Sequence, residues 1–229
     1  FYVAEVDTAI SIVPNINLIA TACRDKGVPV IWLIMRCAEK EGAESQWPLY
    51  HNYFFTEAKG QNHLTKLSPG NPGYELYPDL DVKVEDQIIT KRRFSPFIIG
   101  ASDLHDILQD KGVENLIIAG TATNMCSESA ARDAMMLDYK VVMVEDANAA
   151  RYDEDHLAGL TSFYQSFGDV KKTVDQLGLM GLICIGGDGS LSVAQQFHEY
   201  GISVVGVPKT IDNDLSATAF SFGFDSAVA

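Results

Sequence analysis

Residues 116–136, Leu-Ile-Ile-Ala-Gly-Thr-Ala-Thr-Asn-Met-Cys-Ser-Glu-Ser-Ala-Ala-Arg-Asp-Ala-Met-Met, decide how the rest of the chain is read. Leu116–Ala119 is a short apolar, β-branched run that stops at Gly120, which reads as a buried parallel strand. A polar turn, 121–124, follows, and a helical pattern begins near Cys126. The cysteine therefore stands where a strand hands over to a helix, at the carboxyl end of the sheet. A helix N-terminus favours a thiolate, and its free N–H groups can hold a developing oxyanion. Read from the residues alone, Cys126 is as well accounted for by a small buried cysteine in a strand–helix joint.

The wider text separates the two readings. Gly120 through Ala134, followed by Tyr139-Lys-Val-Val-Met-Val-Glu-Asp-Ala, resembles the isochorismatase-like cysteine hydrolases, in particular their ureidoacrylate and biuret amidohydrolase branch. Val82–Thr90 reads as a strand, and the Lys91-Arg-Arg-Phe-Ser-Pro-Phe after it matches the lysine motif of that family. The resemblance implies a Cys126 nucleophile and a Lys91 ammonium that favours its thiolate. It also implies an oxyanion hole made by the N–H groups of Ala122 and Cys126, after a cis Thr121–Ala122 peptide. Taken alone, Lys91 with Arg92 and Arg93 reads as a solvated basic patch. Order and separation from the Cys126 turn favour the site.

Outward from this centre, apolar residues at helical spacing mark a helix over 10–24, and Val28–Met35 reads as a buried strand. Residues 36–80 show no sustained periodicity and read as a long loop or lid, whose Trp47, Tyr50, Tyr53, Phe54 and Phe55 either pack the loop or wall a pocket. His51 and His63 lack an Asp-x-His element, so no metal site and no cofactor are expected. Ser102–Gly112, with a Ser102 N-cap, and Asp153–Phe167 read as helices, and Lys140–Glu145 as a strand. Phe167-Gly-Asp-Val-Lys-Lys resembles the start of the family's closing helix. One family element has no counterpart: the first strand, which lies mid-sheet and ends in the general-base Asp. Asp7, at the start of the first helix, reads as an N-cap.

The text changes at the 177/178 joint. Gly181-Leu-Ile-Cys-Ile-Gly-Gly-Asp-Gly-Ser-Leu and Val204-Val-Gly-Val-Pro-Lys-Thr-Ile-Asp-Asn-Asp-Leu resemble the phosphofructokinases. The pattern is strand, Gly-rich turn, helix over 191–200 and second strand. Gly186, Gly187 and Gly189 would let backbone N–H groups approach phosphate. The resemblance implies Asp188 at Mg²⁺, Asp212 as base on a sugar hydroxyl, and Thr210 and Asp214 lining the site. About 50 residues are too few for such a kinase, so these motifs are expected to survive as structure alone.

The expected fold is α/β: a three-layer, doubly wound, mainly parallel sheet. Residues 1–177 form the hydrolase segment lacking its first strand, and 178–229 a βαβ fragment of the same domain. The strand Leu182–Ile185 is expected to occupy the vacant slot and bring Asp188 near the lost base. The net charge of −14, from 17 basic and 31 acidic residues, opposes nucleic acid and anionic membrane as partners. No run reaches membrane-span length, and the four unpatterned cysteines fit a reduced, cytoplasmic protein, a possible homo-oligomer. Two function classes follow. One is a cysteine hydrolase of a small amide or ureido compound, weakened by the lost base. The other is an inert engineered or recombined chimera, which the absent initial Met also suggests. A phosphate- or nucleotide-binding fragment is the third reading.

Overall fold

The computed structural model describes residues 6–40, 42–173, 182–186 and 204–208. It is an α/β structure in which, among the described residues, every strand pairing is parallel. The chain forms two compact units, Phe1–Leu177 and Gly178–Ala229.

In the first unit, helices α1 (Val6–Ser11) and α2 (Val13–Asp25) lead into β1 (Ile31–Met35). Pro14 sits at the start of α2, where its missing N–H has no helical partner to lose. A lid of short helices follows, including a π-turn at Leu49–Phe54 and α3 (Glu57–Lys66). Then come β2 (Gln87–Lys91), α4 (Leu104–Asp110), β3 (Asn115–Thr121), a π-turn at Thr123–Ser127 and α5 (Glu128–Met136). The unit closes with β4 (Lys140–Ala149), α6 (Asp153–Ser166) and β5 (Asp169–Lys171).

Among the described residues the strands of this unit lie in two pieces, β1-β2 and β3-β4-β5. One core still spans both pieces: Ile89 of β2 and Val141 and Met143 of β4 pack with Leu104, Leu108, Ala131, Leu160 and Phe163. On the opposite face of β4, Val144 and Ala147 meet Ile19 of α2. Alternation along β4 thus buries both faces, which gives the layered arrangement its reason.

Four local expectations are corrected. The strand expected over 82–90 begins only at Gln87, because Lys83–Asp86 folds into a turn around the Asp86 carboxylate. The lid is not a loop throughout: α3 runs ten residues, with little apolar periodicity to announce it. β3 is not fully buried, and its residues alternate, with Ile117 37% exposed. It has one lateral partner, β4, among the described residues, so the face carrying Ile117 is incompletely covered. Residues 169–171 form a strand beside β4, Val142 opposite Asp169, where the start of the closing helix was expected.

The second unit is described by itself. β6 (Leu182–Gly186) pairs with β7 (Val204–Pro208), Leu182 opposite Val204 and Gly186 opposite Pro208. The helix expected over 191–200 lies outside the described residues.

Candidate active site

β3 ends at Thr121, and the Thr121–Ala122 peptide is cis. Just before it, Gly120 takes φ 129°, a conformation that a side chain would oppose. The chain then folds back on itself: Ala122 O accepts from Met125 N and Ser127 N, each at 3.1 Å. The π-turn at 123–127 presents Cys126 half-buried at the carboxyl end of the sheet. Thr123, fully buried, ties the turn to α6, with its Oγ1 2.7 Å from His156 Nδ1. Ala122 is 1% exposed.

Lys91 is the last residue of β2, opposite Met35 of β1. It is 5% exposed, and its Nζ donates to Phe94 O at 2.6 Å and Arg93 O at 3.2 Å. Among the described residues no carboxylate pairs with it. A buried ammonium held only by carbonyls is costly unless an anion is close.

The structure adds a residue that sequence reasoning passed over. Cys37, two positions beyond β1, is completely buried. Burial pushes its thiol up to about 11, against the pull of Lys91 and Arg93, and neighbouring Cys126 adds to the rise. Both basic groups and the second thiol are therefore within electrostatic reach of Cys37. Cys37 stays protonated at neutral pH, which leaves half-buried Cys126 as the accessible thiol of this cluster. The signal available in sequence was Cys37's place just past an apolar strand, a weak one.

The lid closes over Phe94, whose carbonyl holds Lys91. The Phe94 ring meets Trp47 at 5.0 Å and Tyr50 at 5.3 Å, both edge-on. Below them His51 Nε2 and His63 Nδ1 are 3.0 Å apart, and Ser45 Oγ is 2.6 Å from His51 Nδ1. Both imidazoles are buried, so they serve the interior of the lid. Of the five lid aromatics, Tyr53 and Phe54 are exposed, at 79% and 71%.

Asp7 falls in the first turn of α1 and is exposed. Gly186 ends β6. Gly187, Asp188, Gly189, Thr210, Asp212 and Asp214 lie outside the described residues.

Comparison with known proteins gives two matches along the chain. The Isochorismatase domain family matches residues 1–175, and the Phosphofructokinase family matches residues 149–229. An Arabidopsis thaliana protein named "Probable inactive nicotinamidase" is 34% identical over 160 residues, 69% of this chain and 77% of that protein. The crystal structure of a cysteine hydrolase from Pseudomonas syringae pv. phaseolicola superposes with a TM-score of 0.65 at 27% identity, over 76% of this chain and 82% of that one. At the other end, a pyrophosphate–fructose 6-phosphate 1-phosphotransferase from Amycolatopsis mediterranei is 53% identical over 60 residues. That stretch is 26% of this chain and 18% of that enzyme, so this chain spans less than a fifth of the kinase.

Proposed function

We propose, from the premise that this chain belongs to the isochorismatase family through residues 1–175, that it is a cysteine hydrolase of a small amide or ureido compound. Cys126 is the nucleophile and Lys91 its electrostatic partner. The observation that carries the reading is the buried Lys91 ammonium, which lacks a carboxylate partner among the described residues and shares its surroundings with Cys37 and Cys126. A thiolate at Cys126 is the anion such a cation would accept.

The chemistry follows from those roles. The Cys126 thiolate attacks the amide carbon, and the carbonyl oxygen takes negative charge against the N–H groups of Ala122 and Cys126. The amine leaves with a proton, and water then cleaves the thioester to regenerate the thiolate. Each proton transfer wants a general base, and no strand precedes α1 among the described residues to carry the one the family places there. A hydrolase working without that base is slower by about 10²–10⁴-fold, so turnover by the described residues alone is expected to be weak.

A second reading, a chimera without activity, draws on that lost base and on the Arabidopsis relative, whose own name calls it inactive. One experiment separates the two. Limiting iodoacetamide followed by peptide mass mapping should label Cys126 well before Cys23 and Cys37, and Lys91→Met should slow that labelling at least tenfold. Primary amides, N-carbamoyl and ureido compounds should be hydrolysed slowly, and Cys126→Ala should end the reaction. Hydrolysis that survives Cys126→Ala overturns the cysteine hydrolase. Absent hydrolysis together with indiscriminate labelling leaves the inert chimera.

A further inference from the structure

α6 packs on the turn that carries Cys126, in contacts that the proposed hydrolysis leaves without a role. Thr123 stands between Ala122, whose N–H is a proposed oxyanion donor, and Cys126 three residues on. It is completely buried, and its Oγ1 lies 2.7 Å from His156 Nδ1. Among the described residues that hydroxyl has no other hydrogen-bond partner. Burial lowers the basicity of His156 against the opposing pull of Glu145 and Asp153. The imidazole is therefore neutral at pH 7 and has one acceptor nitrogen. A buried hydroxyl needs an acceptor, so Thr123 Oγ1 donates to Nδ1, and Nε2 carries the ring proton.

His156 is one of several grips on this stretch. One turn further along α6, Gly159 meets the next residue of the Cys126 turn. A Cβ there would stand 3.3 Å from Asn124 Cα and 3.2 Å from Glu128 Oε2. The i, i+3 spacing puts His156 and Gly159 on one helix face, with Leu160 and Phe163 buried beside them. Ser162 Oγ accepts from Arg132 Nη2 at 2.7 Å, and Arg132 in turn holds Glu128 in the first turn of α5. α6 thus holds the chain on both sides of Cys126, at 123 and 124 before it and at 128 and 132 after it. A nucleophile must be held closely, since a misplacement of about 1 Å can cost about 10²-fold in rate.

The geometry points to His156 as a positioning residue of the proposed hydrolase: by accepting the Thr123 hydroxyl it fixes the 122–126 turn, and with it the Cys126 sulfur and the Ala122 N–H. This role rests on the reading of Cys126 as the nucleophile. His156 acts through Thr123 and is assigned no proton transfer.

The rate at which iodoacetamide labels Cys126 in the full chain, followed by peptide mass mapping at neutral pH, tests the role. His156→Leu and Thr123→Val each remove the hydrogen bond and should slow labelling about fivefold, the equivalent of about 1 kcal/mol for one ordinary hydrogen bond. His156→Asn offers Oδ1 where Nδ1 stood and should keep most of the wild-type rate. The double variant His156→Leu, Thr123→Val should be no slower than either single, because both remove the same interaction. Thr123→Val, close to isosteric, should fold as the wild type does by circular dichroism, and it decides alone if His156→Leu does not fold. Undiminished labelling of the folded Thr123→Val protein, or a His156→Asn protein as slow as His156→Leu, overturns the positioning role and leaves the nucleophile in place. Wild-type labelling that does not favour Cys126 over Cys23 and Cys37 overturns the nucleophile and this role with it.

Discussion

Two cations of this chain, the half-buried Arg24 and the buried Lys91, are treated in opposite ways. Arg24 reaches the amino ends of the strands, where Asp86 takes its Nη2 at 2.6 Å and its Nε at 2.9 Å, and Trp32 Nε1 and Lys83 N donate to the same carboxylate. The guanidinium hydrogen bonds, first among these partners, hold the Asp86 carboxyl well below the usual carboxylate range. Its side chain is 1% exposed. A carboxylate depressed on folding stabilises the protein above its unfolded value of about 3.9 and ceases to do so as pH falls toward the folded value. Asp86→Asn should therefore cost about 3 kcal/mol at pH 7, the range for breaking a buried pair, and denaturant titrations should show the gap to wild type narrowing only below about pH 4. A gap of constant size down to pH 2 would argue against ionisation as its source. Lys91, at the other end of the sheet, has carbonyls alone. Replacing a buried charge by an apolar side chain of similar length is tolerated where its partner, here the Cys126 thiolate, can take up a proton instead. Lys91→Met should accordingly leave the melting temperature unchanged or higher while Cys126 alkylation slows, a separation that a merely structural lysine would not show.

At the scale of elements, legibility followed hydrophobic patterning. α2 was readable because the apolar residues over 10–24 recur at helical spacing, β1 because it is a nearly continuous apolar run, and the Cys126 turn because strand, glycine and helix meet there. The first phosphofructokinase strand was readable as an apolar run of the same kind. α3 was not, since Glu57–Lys66 carries few apolar residues and a glycine in mid-helix. Gly60 has a tertiary cause: a Cβ there would lie 2.0 Å from His51 O. Gly60→Ala would gain about 1 kcal/mol of helix propensity, but forcing the lid apart costs roughly 1–3 kcal/mol. A lowered melting temperature is thus expected, and a raised one would show that the two helices are not packed this closely. The His51–His63 contact was equally hidden, because spacing in sequence does not report a side-chain hydrogen bond. Burial, then the adjacent His51 and Lys66, pushes His63 down to about 4, and burial lowers His51 as well. A histidine depressed on folding contributes its full stability above about pH 6.5 and loses it as pH falls toward 4. Limited proteolysis should find the lid increasingly open from pH 6.5 downward, and lid cleavage independent of pH would count against the buried pair.

For the whole molecule, the decisive feature is that two matches share one chain, which divides into units of very different size. Phe1–Leu177 contains the core of Met143, Phe163 and their neighbours, whereas Gly178–Ala229 has 52 residues. A unit of that size buries only about 60% of the surface its unfolded chain exposes and is marginally stable by itself. Two units of unequal core should not unfold in one step. The sequence places a probe conveniently: both tryptophans, Trp32 and Trp47, belong to the first unit. Tryptophan fluorescence therefore follows the first unit alone, while far-ultraviolet circular dichroism follows both. In urea, the dichroism should begin to fall before the fluorescence changes, and the remaining signal should vanish together with it. Coincident transitions with a single slope would show that the small unit is stabilised by the large one, so that the chain folds cooperatively across its 177/178 joint.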